Sequence, residues 1–217
     1  MSEVKNAREI FQVAYENRYT WDDNFPGYTA KLEVKQGDEV YHATIVVDNN
    51  LSVEVNDIDD EQVKESVYNQ MRDIITHRKR SSFAKAHGKS TFSLGEEDTT
   101  GAVEIFVKGD AMGSNYRVRG KEICQVSRVM GPMAFTINTK DSLDTGAGYI
   151  STGYDAVFRN AKTNELTGKR DFAEVYEQVG DYYLPRRQVI YAIDKGGEKT
   201  TTEFNFSELK LAEPAVV

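Results

Sequence analysis

The segment His87-Gly88-Lys89-Ser90 ends as a phosphate-binding loop ends, with a lysine and a hydroxyl after glycine. Such a loop also needs a glycine five residues before Gly88, so that consecutive backbone N–H groups can turn inward on the phosphates. Phe83 stands there, so nucleotide binding is not specified. Asn56-Asp57-Ile58-Asp59-Asp60 has the carboxylate density of a calcium loop, but the required glycine and terminal glutamate are not at their places. Helix capping explains those carboxylates better. His42, His77 and His87 lack the short spacing of metal ligands, so no metal site is expected.

Nucleophilic chemistry is no better supported. Cys124 lies in an alternating apolar stretch, where a packed, inert thiol is expected, and no Gly-x-Ser-x-Gly elbow occurs. Asp155, Glu174 and Glu203 fall on strands and would serve acid–base work only if they faced a cavity. Strand carboxylates more often face solvent. The reading is therefore of a protein that is not an enzyme and takes no cofactor.

The net charge of −8 disfavours nonspecific association with nucleic acid, because the overall field repels phosphate. One segment opposes that field: Arg78, Lys79, Arg80, Lys85 and Lys89, with Phe83 among them, form a basic run suited to an anion, a membrane surface or an acidic protein partner. The segment also reads as a solvated connection after a helix, its cations complementing the helix dipole. A single cysteine forms no internal disulfide, and Met1-Ser2-Glu3-Val4-Lys5 begins without an apolar signal segment. The expected location is cytoplasmic.

The elements that must position these residues follow from periodicity. Asn6 and Glu9 have capping-box spacing before an apolar stripe at Ala7, Ile10, Phe11 and Ala14, predicting a helix over 6–19. Pro26 and Gly27 open a three-stranded unit over 27–55, in which Tyr28, Ala30, Leu32 and Val34 alternate with polar residues. A second helix is predicted over 59–77, capped by Asp59, with Val63, Val67, Met71, Ile74 and Ile75 on one face. From 91 to 211 the chain alternates as a long antiparallel meander with turns at sites such as Gly109-Asp110, Gly131-Pro132 and Gly196-Gly197. All of this reads as one domain over 1–217.

About ten strands at roughly 4.8 Å spacing make a sheet about 45–50 Å wide. Two helices of about 10 Å diameter cover less than half of it. The expected class is thus mainly β (α+β): a strongly curved antiparallel sheet or incomplete barrel of about ten strands, with two helices across the concave face. A concave apolar interior is a common ligand site, although 10 Phe, 12 Tyr and one Trp can also fill much of it.

The segments Ala14-Tyr15-Glu16-Asn17-Arg18-Tyr19-Thr20-Trp21, Phe25-Pro26-Gly27-Tyr28, Val118 through Met130, and Tyr182-Tyr183-Leu184-Pro185 resemble an uncharacterised protein family of cyanobacteria and plastids, over nearly the whole chain. The order of helix then meander, with an aromatic-rich turn before a late proline, also resembles the outer-membrane lipoprotein carrier fold. That resemblance implies an incomplete barrel with a helical lid that holds acyl chains.

The expected function is binding of an apolar small molecule, a lipid, pigment or isoprenoid, against Met130, Met133, Phe135, Tyr154, Phe158 and Tyr191. The alternative is a protein-interaction module with a filled core, docking through the basic segment 78–89 or the turn over 21–28. Because side chains alternate along a strand, a slip of one residue would turn the whole proposed lining outward.

Overall fold

The computed structural model describes residues 6–109 and 114–213. The N-terminal segment over 1–5 and the Asp110 half of the turn at Gly109-Asp110 lie outside the described residues. In chain order the elements are α1 (Ala7–Glu16), β1 (Gly27–Gln36), β2 (Glu39–Asp48), β3 (Val53–Asn56), α2 (Glu61–Arg78), α3 (Phe83–His87), β4 (Thr91–Glu97), β5 (Val103–Lys108), β6 (Ser114–Arg119), β7 (Glu122–Met130), β8 (Met133–Asp144), β9 (Tyr149–Asn160), β10 (Leu166–Val179), β11 (Tyr182–Asp194) and β12 (Lys199–Leu211). The strands form one antiparallel sheet in the order β3-β2-β1-β12-β11-β10-β9-β8-β7-β6-β5-β4.

Among the described residues, twelve strands and three helices correct the expectation of about ten and two. The added helix, α3, has only five residues, too few for an apolar stripe, whereas the short strands β3 and β4 fall inside the three-stranded unit and the meander that alternation predicts. Ser82 caps α3 by accepting the Lys85 N–H, and Phe83 is buried, so the segment after α2 is more than the surface connection expected from its charge. No helix among the described residues is long and apolar enough to cross a membrane.

The chain divides into two compact units that interleave along the sequence. The first draws on the chain up to Tyr19, Ser81–Phe172 and Ala192–Lys199. Its α1 begins with the reciprocal cap its spacing predicts: the Asn6 side chain accepts the Glu9 N–H at 3.0 Å, and the Glu9 carboxylate accepts the Asn6 N–H at 3.2 Å. The helix ends at Glu16, earlier than predicted, because the chain beyond it pairs with β9: the Tyr149 N–H donates to the Asn17 carbonyl, and the Tyr19 N–H donates to the Tyr149 carbonyl. Gly148, at φ +140°, permits this approach, since a Cβ there would collide with the Asn17 carbonyl. Phe11, Ala14 and Tyr15 of α1 pack with Phe83, Ile105, Val107, Tyr116 and Val118 into one core. Register shifts in the β4–β5, β6–β7 and β8–β9 pairs bend these strands locally.

The second unit draws on Thr20–Arg80, Ala173–Tyr191 and the chain from Thr200. In β1, Tyr28, Ala30, Leu32 and Val34 are buried as their alternation predicts, and Leu32 pairs with Ala43 on one side and Phe206 on the other. The entry to β1 turns at Gly27 (φ +89°), where a Cβ would meet the Val47 carbonyl. Helix α2 is capped by Asp60, not Asp59: its carboxylate accepts the Gln62 and Val63 N–H groups at 2.9 and 3.0 Å. Val63, Val67, Met71, Ile74 and Ile75 are buried along α2, which packs beside β3.

Candidate functional site

In the first unit, strand register sorts β7, β8 and β9 into two unlike faces. On one face Gln125 donates to Asn138 at 2.8 Å, Asn138 donates to Asp155 at 2.7 Å, and the Ser127 and Thr136 hydroxyls meet at 3.0 Å. Lys140 continues this row by bridging Asp155 and Asp171, and exposed Val129 lies at its end. These groups satisfy one another next to water.

The opposite face carries the residues one step out of phase. Met130 pairs with Met133, Phe135 with Phe158, and Ile137 with Ala156. The Phe135 and Phe158 rings lie 6.4 Å apart, and Tyr154 stacks on Phe172 at 4.5 Å between centroids. Except for Ala156, these apolar side chains are not buried; Met130 and Met133 are 42% and 38% exposed. The structure therefore brings five of the six expected lining residues to one face of one unit. Tyr191, 51% exposed, falls in the second unit.

The same face runs into the core under α1, since Val126 and Ile123 of β7 pack against it. There Phe11, Tyr15, Phe83 and Phe92 surround the His87 ring, with centroid separations of 5.1, 5.0, 5.5 and 6.3 Å. Three guanidinium groups edge this cluster: Arg8 over Phe83, Arg18 over Tyr15 at 3.8 Å, and Arg128 over Tyr116. Burial, then the charges of Arg18, Arg128 and Arg8, push the His87 pKa below its ordinary value. Each effect disfavours a further positive charge.

Arg128 occupies the boundary between filled core and half-exposed face. It stands in phase with Val126 and Met130, pairs with Phe135, and donates through Nη2 to the Tyr116 hydroxyl at 2.8 Å. Its Nε is buried and meets no acceptor among the described residues. The strand alternation of β7 held this signal, an arginine in step with apolar neighbours. Reading the segment for its thiol and methionines missed it, as it missed Arg170, whose guanidinium lies over Phe158.

The basic run does not act as one surface. Arg78 is only 7% exposed and lies over the Tyr176 ring, so it is removed from any docking role at the surface. The reason is its place in the last turn of α2, where the Arg78 carbonyl accepts the Trp21 N–H and the chain is held inward. Lys79, Arg80, Lys85 and Lys89 are exposed; the first two belong to the second unit and the last two to the first. In the turn over 21–28, Trp21, Phe25 and Tyr28 are buried, with Trp21 stacked on Phe25 at 4.1 Å. Its contact residues face inward, leaving Asp22, Asp23 and Asn24 outside.

The candidate chemical groups are each engaged locally. Glu203 pairs with Arg187 at 2.7 Å, which lowers its pKa, and Glu174 accepts from the Tyr176 hydroxyl and Gln188, both at 2.7 Å. Burial, then the Glu174 charge, pushes the Tyr176 phenol upward. The half-buried Cys124 thiol donates to the Arg117 carbonyl, and burial raises its pKa, the opposite of nucleophile activation. Among the described residues no group of three His, Cys, Asp or Glu side chains is placed to hold a metal ion.

Of the segments that carried the family resemblance, Val118 through Met130 lies in the first unit, while Trp21, the Phe25–Tyr28 stretch and the Tyr182–Pro185 stretch meet in the second. Trp21 Nε1 donates to the Tyr183 carbonyl at 3.1 Å, Phe25 packs on Tyr182, and the Tyr182 hydroxyl donates to Asp22. They build core.

Among curated proteins, none matches the chain. Among solved structures it is similar to a LolA superfamily protein from Nitrosomonas europaea, with 11% identity, 97% of this chain and 95% of that chain covered, and a TM-score of 0.34. A DUF1329 family protein from Desulfovibrio piger shows 8% identity, coverage of 96% and 94%, and a TM-score of 0.29. MucB, solved in complex with MucA(peri), shows 9% identity, coverage of 94% of both chains and a TM-score of 0.25. The family model for DUF3386, a protein family of unknown function, matches residues 2–212, and the chain belongs to that family.

Proposed function

We propose that this protein binds an apolar small molecule on the face of the first unit formed by Met130, Met133, Phe135, Tyr154 and Phe158. The supporting observation is the contrast between the two faces of β7–β9. One is closed by mutual hydrogen bonds, while the other leaves large apolar side chains half exposed beside a filled aromatic core. Contiguous exposed apolar surface costs free energy in water, roughly 25 cal/mol per Å², and marks binding surfaces more often than it occurs by chance.

The ligand class is a lipid, pigment or isoprenoid, held by dispersion and burial without bond chemistry. The test is titration of detergent-free protein with the neutral probe N-phenyl-1-naphthylamine. Saturable enhancement of its fluorescence, competed by a long-chain lipid, is expected; an unchanged emission up to the solubility limit of the probe contradicts the reading.

Docking of a protein through the basic run is the weaker reading. Burial of Arg78 removes one of its cations, and the inward-facing aromatics of the 21–28 turn remove the other proposed contact.

A further inference from the structure

We propose that the ligand of this face is a long-chain carboxylate whose head group is held by Arg128. This deepens the apolar-ligand reading and rests on it. The apolar surface alone would accept any hydrocarbon, but it has a charged end. Arg128 projects from the same face as Val126 and Met130, directly across from Phe135, and its neighbour in the register on the other side is buried Ser114.

A guanidinium placed among apolar groups normally acquires a carboxylate, because a buried cation without a partner loses its hydration with nothing in return. Among the described residues Arg128 has no carboxylate partner; its one protein acceptor is the neutral Tyr116 hydroxyl, and its Nε is buried without an acceptor. Half-buried Arg128 thus stands at the edge of an apolar face with its charge unmatched among the described residues. An added carboxylate would meet a charge-assisted bond of the kind arginine forms best.

The surrounding field has the same sign. Arg8 and Arg18 join Arg128 around the aromatic cluster, none of the three forms an ion pair among the described residues, and the chain as a whole carries −8. A local positive field in an acidic protein selects an anion. From β7, which carries Arg128, to β10, which carries Phe172, is three strand spacings, about 14 Å, so apolar surface extends away from the head for the tail. At the far end Arg170 lies over Phe158 and borders the tail region.

The experiment compares palmitate with hexadecanol, which share a chain length and differ in head charge, by competition against N-phenyl-1-naphthylamine on the full chain. Wild-type protein is expected to bind palmitate at least about tenfold more tightly than hexadecanol, the scale of one charge-assisted contact. Arg128→Gln is expected to abolish that preference by weakening palmitate alone, and Arg128→Lys to retain part of it. Equal affinity of wild type for both probes, or a full palmitate preference in Arg128→Gln, overturns the inference while the apolar-ligand reading stands. Displacement by neither probe overturns both. The wild-type comparison decides the matter even where Arg128→Gln does not fold.

Discussion

Phe135 and Phe158 stand directly opposite each other on β8 and β9, with rings 6.4 Å apart, yet neither is buried. A cross-strand aromatic pair of this kind contributes a modest amount to the sheet, roughly 0.2–1 kcal/mol. Its larger potential lies in the area it still exposes. Phe135→Ser and Phe158→Ser should each cost less than about 2 kcal/mol in urea unfolding and weaken N-phenyl-1-naphthylamine binding about tenfold. Unfolding curves that collapse while probe affinity is kept would show the pair to be core.

Phe11 supplies the contrast. It is fully buried and lies within ring contact of Tyr15, Phe83, His87, Phe92 and Tyr116. Phe11→Ala should destabilise the protein by about 3–5 kcal/mol, the usual cost of a large cavity in a packed aromatic core. A loss below about 1 kcal/mol in the same measurement would mean that α1 does not seal this core.

The pH dependence of stability carries the mark of His87. Its pKa is lowered in the folded protein, so as pH falls through the ordinary value of 6.5 the unfolded chain takes up a proton before the folded one does. The stabilisation is therefore full above about pH 6.5 and is lost as pH decreases toward the folded-state pKa. Denaturation midpoints measured from pH 7.5 to 5 should fall more steeply for wild type than for His87→Gln. Parallel curves for the two proteins would contradict this assignment.

Asp98 gives a second, more acidic transition. Its carboxylate accepts from the Thr100 hydroxyl and the Thr100 and Ala102 N–H groups, and pairs with Arg117 at 2.9 Å, which brings its pKa down to about 2. These interactions are complete above the ordinary carboxylate value of 3.8 and are lost as pH falls toward about 2. Asp98→Asn should lower the melting temperature at pH 7 and narrow the gap from wild type near pH 2. A gap independent of pH would assign the effect to packing.

The single tryptophan reports on the second unit. Trp21 is 2% exposed, stacked on Phe25, and hydrogen-bonded to the Tyr183 carbonyl. Its emission should be blue-shifted and resistant to iodide in the native protein, and should move to the red on unfolding. A native spectrum already quenched by iodide would contradict the placement of the 21–28 turn.

Much of the strand pattern was legible because alternation is a local property. Tyr28, Ala30, Leu32 and Val34 are buried in the phase their spacing predicts, and Met130, Met133, Phe135, Tyr154 and Phe158 share a face for the same reason. Pairing of successive strands was legible from the turns between them, but the pairing of β1 with β12 was not, since β12 comes from the far end of the chain and nothing local encodes that. The arginines were lost for a related reason. Arg8, Arg18 and Arg128 stand on two segments more than a hundred residues apart and become one group only where α1 crosses the sheet beside β6 and β7. Arg78 misled because a basic run reads as surface, whereas tertiary contact with Trp21 and Tyr176 turns its first member inward.

Native mass spectrometry of protein purified without detergent tests ligand binding most directly. The expected spectrum contains, beside the bare chain, a species heavier by one lipid-sized molecule, depleted in Phe158→Ser and restored to wild type by added palmitate. A bare mass alone, with no uptake of palmitate or of a carotenoid, would contradict the binding of an apolar ligand by this fold.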